Sequence, residues 1–166
     1  MNEYEKFLES KRHSIGNFGF DANFIPDCAF DFQKFVIEKA ILKGRSAIFL
    51  DTGLGKTLVQ ISIAYNIARH TNKRVLIITP LAVGFQFIKE AIERNITDDI
   101  EISKDGKFTK KIVICNYERL HYFNENDFEG IVLDESSILK NFDGKIKQEV
   151  TSFVKKIPYR FLSTAT

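Results

Sequence analysis

Ser46-Ala47-Ile48-Phe49-Leu50-Asp51-Thr52-Gly53-Leu54-Gly55-Lys56-Thr57 is the stretch on which the fold turns. Ser46 to Leu50 is a short apolar run, the pattern of a strand buried on both faces. From Thr57 to Ala68 the apolar residues Leu58, Ile61, Ile63, Ala64 and Ile67 recur at helical spacing. Strand, glycine-rich loop and helix in that order are the frame of a phosphate-binding loop. Gly53 and Gly55 allow the backbone to curl with its N–H groups turned toward an anion. The helix N-terminus adds the positive end of its dipole. Thr52 and Leu54 complete the cradle, Lys56 is placed to reach β- and γ-phosphates, and the Thr57 hydroxyl is a magnesium ligand. The strict pattern carries a glycine where this chain has Leu50.

The same alternation continues outward. Arg74 to Ile78, Lys111 to Cys115, Gly130 to Leu133 and Tyr159 to Leu162 predict four further strands. Phe85 to Ile96 and Ile146 to Val154 predict helices between them, and Phe32 to Leu42 predicts a helix before the first strand, stopped by Gly44. Ile100 to Lys111 is expected to be an exposed excursion. Repeated strand–helix units imply a parallel sheet in a three-layer α/β domain. Residues 1–29 are expected to be a helix-and-loop extension, with the domain proper over 30–166.

A second chemical signal stands at the end of the strand Gly130-Ile131-Val132-Leu133, which runs into Asp134-Glu135-Ser136-Ser137. A carboxylate at a parallel strand end beside a phosphate loop can hold magnesium, often through water. Its neighbour can polarise an attacking water. Asp134 is therefore the expected metal residue and Glu135 the expected activator of water.

Composition bounds the remaining choices. The chain has 166 residues, 44% apolar and 28% charged, which suits one globular domain with a real core. With 24 Lys and Arg against 22 Asp and Glu the net charge is +2, which neither demands nor excludes a nucleic-acid partner. Two cysteines cannot staple a chain of this length, so Cys28 and Cys115 read as reduced packing residues in a cytoplasmic protein. His13, His70 and His121 have no metal spacing with them, so no zinc is expected. No apolar run approaches the ~18 residues of a membrane span, and the charged N-terminus lacks a signal core. The chain ends on Phe161-Leu162-Ser163-Thr164-Ala165-Thr166, directly after an apolar stretch, which predicts a fragment of something longer.

Taken together, these segments resemble the first RecA-like, ATP-binding lobe of superfamily 2 helicases, above all the Swi/Snf-like branch and its phage and prophage relatives. Asp51 to Thr57 is similar to motif I, whose Swi/Snf form ends in Gly-Leu-Gly-Lys-Thr and also lacks the first glycine. Ile78 to Val83 resembles motif Ia, and Cys115 to Leu120 the family's Thr-Tyr-Glu segment. Asp134 to Asn141 resembles motif II with its trailing Lys-Asn, although Ser137 stands where His or Asp is usual. Ser163 to Thr166 resembles motif III. Phe30 to Gln33 nearly matches the Phe-Asp-Phe-Gln segment that precedes the loop in phage proteins.

The resemblance implies a P-loop NTPase lobe using ATP and magnesium, in a bacterial or phage-infected cell. Gln33 would read adenine, since an amide both donates and accepts, and Phe30 or Phe32 would stack on the base or simply fill the core. Double-stranded DNA would be bound without sequence preference through Thr79, Pro80 and Leu81 and through Asn116, Tyr117 and Arg119, at the carboxyl edge of the sheet. Ser163, Thr164 and Thr166 would couple hydrolysis to that path. A second RecA-like lobe would supply an arginine finger. Two other readings stay open at this point. One is a P-loop kinase or nucleotide switch, although the sequence has neither an Arg-rich lid nor an Asn-Lys-x-Asp. The other is a non-catalytic fragment that binds a nucleotide or a protein partner.

Overall fold

A computed structural model describes residues 2–6 and 16–165. Its centre is a six-stranded sheet in which every neighbouring pair is parallel, in the order β1-β6-β5-β2-β4-β3. The strands are β1 (Arg45–Phe49), β2 (Arg74–Thr79), β3 (Ile100–Ile102), β4 (Ile112–Asn116), β5 (Phe128–Leu133) and β6 (Tyr159–Thr164). The helices are α1 (Asp31–Lys43), α2 (Lys56–Thr71), α3 (Gly84–Glu93) and α4 (Gly144–Lys155). The three-layer α/β expectation therefore holds.

Alternation along each strand builds two cores. In β2, Val75 and Ile77 point to one face and Leu76 and Ile78 to the other, all fully buried. The first face carries α1, α2 and α3 through Ile37, Ile41, Ile61, Ile67 and Phe87. The second carries α4 and the turns after β4 through Tyr117, Leu120, Phe123, Val150 and Phe153. Burying residues on both sides of a strand is what its continuous apolar spelling requires.

Some element ends differ from the sequence expectation, each for a local reason. The excursion at Ile100 to Lys111 begins with a short edge strand, β3, paired to β4 over Ile100, Glu101 and Ile102. Three residues are too few to produce a readable alternation. Helix α4 starts before Ile146 because the Asp143 side chain accepts a hydrogen bond from the Ile146 N–H at 2.9 Å, an N-cap. Strand β6 runs on to Thr164, so Ser163 and Thr164 are buried strand residues. Cys115 is buried as expected, but Cys28 is exposed and fills no core position. Helix α1 ends at Gly44 in a left-handed conformation (φ 71°), as its sequence position foretells.

Register brings the strand ends to one edge. Phe49 faces Thr164, Leu133 faces Leu162, Ile78 faces Leu133 and Thr79 faces Asn116. The loop after β1, the acids after β5 and the turns after β2 and β4 consequently share the carboxyl edge, where open parallel sheets bind their ligands.

Candidate nucleotide site

The loop Leu50 to Gly55 leaves β1 and feeds α2, as the opening stretch predicts. Gly53 and Gly55 both take left-handed backbone, φ 87° and 76°. At Gly55 the constraint is double, because a Cβ there would overlap the side-chain amide of Gln33. Gln33 is 4% exposed and occupies the N3 position of α1. Its Oε1 accepts from the Phe30 N–H at 2.9 Å, closing the start of its own helix. Its Nε2 donates to the Leu54 carbonyl at 2.9 Å. A helix-start residue thus ties the phosphate loop down from outside it.

The acids arrive from β5. The Asp134 N–H donates to the Ile78 carbonyl at 2.8 Å, so the strand pairing carries it to the sheet edge. Its carboxylate is 3.6 Å from Lys56 Nζ. Lys56 Nζ donates to Glu135 as well. The expected lysine and both expected acids therefore meet, although 78 and 79 residues separate them in the chain. Glu135 holds a left-handed backbone (φ 49°, ψ 49°), which is uncommon for a residue with a Cβ and re-aims the chain at that point.

Two side chains that hold Asp134 in place were not anticipated. Gln60, fully buried one turn after Lys56, donates from Nε2 to Asp134 Oδ1 at 2.9 Å. The only signal for it in the sequence is a polar residue at i+4 from the lysine on an otherwise apolar helix face. Tyr117 donates its hydroxyl to the Asp134 carbonyl at 2.7 Å. This corrects the expectation that Tyr117 contacts nucleic acid directly. The side chain is 2% exposed and belongs to the second core. Burial and the neighbouring Asp134 and Cys115 push its hydroxyl pKa well above the ordinary tyrosine value.

The other nucleic-acid candidates lie along the same edge. Thr79 is buried and its hydroxyl donates to the Pro80 carbonyl at 3.1 Å. Together with Leu81, Gly84, Phe85, Lys104 and Asn116 it lines a groove of about 240 Å³. Leu81 and Phe85 are 77% and 75% exposed. Pro80 and Asn116 are half-buried, and Asn116 Oδ1 is shut off from solvent with no partner among the described residues. Arg119 is exposed, and its guanidinium donates to the Lys104 carbonyl at 3.3 Å. Ser163 is fully buried and its hydroxyl likewise has no partner among the described residues. Thr166 lies outside the described residues.

A cavity of about 500 Å³ opens over the loop. Its lining includes Gln33, Asp51, Thr52, Gly53, Gly55, Lys56, Thr57 and Glu135. The size suits a ligand of nucleotide dimensions. The remaining wall is Cys28 and Phe30 on one side and Gln86, Glu90 and Arg94 from the α3 side. That last trio was not foreseen. Phe30 and Phe32 are both well exposed, with rings stacked 6.1 Å apart, so neither is a core residue. Among the described residues no three His, Cys, Asp or Glu side chains gather into a metal cluster. No helix among them is long and apolar enough to cross a membrane.

Comparison with known proteins places these features. The family model described as "Type III restriction enzyme, res subunit" matches residues 29–148. No curated protein matches the chain. Among solved structures, the UvsW helicase of bacteriophage T4 superposes with a TM-score of 0.72 at 16% identity, over 95% of this chain and 58% of that one. The SWI2/SNF2 ATPase core of Sulfolobus solfataricus in complex with dsDNA superposes with a TM-score of 0.65 at 22% identity, over 89% of this chain and 34% of that one. The same core domain in a separate structure gives 0.68 at 21% identity, over 87% of this chain and 32% of that one. The chain thus spans just over half of one relative and about a third of the other.

Proposed function

The chain belongs to the type III restriction enzyme res-subunit family, and from that premise we propose that it is a superfamily 2 helicase RecA-like lobe of Swi/Snf-like, phage-related type, the ATP-binding half of a DNA-dependent translocase or helicase. One observation carries the reading. Lys56 and Glu135 line a nucleotide-sized cavity together with the glycine loop, and the buried Asp134 carboxylate stands behind them, 3.6 Å from Lys56 Nζ. A lysine held between two carboxylates is a cation waiting for an anion, and bound phosphates would take it over.

The donor set fits ATP and magnesium. Thr57 and Asp134 offer the hard oxygen ligands that magnesium requires. When bound, the ion neutralises charge on the phosphates. The chain's own groups do the rest. The N–H groups of Gly53, Gly55 and Lys56 would cradle phosphate oxygens, while the Leu54 N–H is held by the Asp51 carbonyl at 3.2 Å, and Lys56 offsets negative charge that grows in the transition state. Glu135, released from Lys56, orients water and takes its proton. Gln33 keeps one N–H and one lone pair beyond its two internal bonds, the pair that an adenine edge needs.

DNA would run across the turns after β2 and β4, over Pro80, Leu81, Asn116 and Arg119, bound through its backbone without sequence readout. The dsDNA on the Sulfolobus core is the precedent for a double-stranded partner. Ser163, Thr164 and Thr166 would link that path to the acids. A second lobe would contribute an arginine worth about 10³–10⁵ in rate, so these 166 residues alone should bind nucleotide weakly and hydrolyse it slowly. ATP turnover measured with and without duplex DNA tests this. The expected result is slow turnover that DNA barely changes. Fast, DNA-stimulated turnover by the monomeric chain would overturn the need for a second lobe.

A further inference from the structure

One wall of the cavity is a stripe on α3 and its C-cap residue Arg94. Gln86, Glu90 and Arg94 are four residues apart, so they lie on one face of the helix, and all three line the cavity with the phosphate loop. The adjoining face of α3 is the one that packs, with Phe87 and Ala91 fully buried in the first core. Arg94 also lines the adjoining pocket with Asp27 and Cys28. Through Arg94 the stripe reaches the chain that precedes α1.

Glu90 is the member of this stripe with a buried polar atom left unpartnered. Its Oε2 is shut off from solvent and has no hydrogen-bond partner among the described residues. A buried carboxylate oxygen left unpaired costs more than a formed hydrogen bond returns, so one that persists calls for a reason. Desolvation holds its pKa above the ordinary glutamate range, with Glu93 adding to that and Arg94 opposing it. A carboxylate has only acceptor positions to offer, so the group that completes it must be a donor. The phosphates have no donor. The nucleoside has two kinds, the ribose hydroxyls and the exocyclic amine of adenine.

We propose that Glu90, flanked by Gln86, is the specificity residue for the nucleoside half of the bound nucleotide, accepting a hydrogen bond from a sugar hydroxyl or from the adenine amine. The proposal rests on the nucleotide reading of the site and deepens it. It divides the cavity into two ends. Lys56, Thr57 and the glycine loop hold the phosphates, which every nucleoside triphosphate shares. Gln33 and Glu90, which line the same cavity, would meet the part that differs.

The test is a titration of the whole chain with four probes: ATP, 2′-deoxy-ATP, purine riboside triphosphate (which lacks the amine) and inorganic tripolyphosphate. Wild type should bind ATP several-fold more tightly than one of the two analogues, and which one identifies the donor. Glu90→Ala should lose about tenfold for ATP, the effect of removing a charged hydrogen bond. It should bind ATP and that analogue equally, and hold tripolyphosphate no more weakly than wild type. Alanine is the best helix former, and Glu90→Gln, which keeps the shape and one acceptor, should fall between. Unchanged discrimination in Glu90→Ala, with ATP binding that Lys56→Ala abolishes, would overturn the role of Glu90 alone. Failure of folded wild type to bind any of the four probes would overturn the nucleotide reading together with it.

Discussion

The loops that leave β1 and β2 sit on the same edge of the same sheet, yet they are built in opposite ways. The loop after β1 is tied from every side: Gln33 holds Leu54, Gly55 fits against Gln33, and Lys56 at its end is held by Glu135 and Asp134. The turn after β2 displays Leu81 and Phe85 to solvent and leaves Asn116 Oδ1 in the neighbouring turn without a partner among the described residues. A preorganised loop suits a small anion that must be met at defined points. An open turn suits a long polymer met through many weak contacts. On the proposed function, one sheet edge would serve two kinds of ligand because its loops differ in how far their polar groups are already satisfied.

The contrast can be broken most forcefully at Gly55. Gly55→Ala places a Cβ on a left-handed residue and into the Gln33 amide. It should cost about 1–3 kcal/mol of stability and at least tenfold in nucleotide affinity, read by chemical denaturation and ATP titration. A thermally unchanged variant with normal ATP binding would show that the tie is not needed. The reverse test is Leu81→Ser with Phe85→Ala. Duplex DNA affinity measured by fluorescence anisotropy should fall several-fold while ATP binding stays the same, because neither residue lines the nucleotide cavity. A joint loss would mean that the two loops are not independent.

A smaller effect is expected under the acids. Tyr117→Phe removes the hydroxyl that donates to the Asp134 carbonyl and should cost about 1 kcal/mol of stability. The smallest concerns Glu90. Its pKa is raised in the fold, so the folded state favours the protonated form. Stability from this group is fully present below the ordinary glutamate pKa of about 4.3 and is lost as pH rises through the raised value. Glu90→Gln should therefore be more stable than wild type at neutral pH, and the gain should vanish in thermal melts near pH 4. Arg94 and Glu93 on the helix side, and Lys56, Glu135 and Asp51 across the cavity, remain in both proteins. A gain that is independent of pH would contradict the assignment.

What could be read in advance follows from how local each feature is. The phosphate loop was legible because all its chemistry lies within seven residues, Asp51 to Thr57. Strands β2, β4 and β5 were legible because they are buried on both faces and spelled in Ile, Val and Leu, whereas β1, expected to be buried on both faces, is an edge strand with only Ile48 buried and Phe49 exposed. Strand β3 was not, since three residues at a sheet edge carry almost no pattern. Tyr117 misled for a different reason: its ring belongs to the core and its hydroxyl to a backbone carbonyl, and a sequence does not say which end of a tyrosine dominates. Gln86, Glu90 and Arg94 went unseen because a polar stripe on an amphipathic helix ordinarily faces water. Only the tertiary placement of α3 beside the loop turns that stripe into a cavity wall.

The central claim is that the glycine loop, Lys56 and the paired acids form an ATP site in this chain as it stands. Calorimetric titration of ATP with magnesium into wild type and Lys56→Ala addresses it most directly. The account predicts saturable one-to-one binding by wild type, and a loss of tenfold or more in a Lys56→Ala variant with an unchanged circular dichroism spectrum. Equal affinity of the two proteins, or no binding by folded wild type, would contradict it.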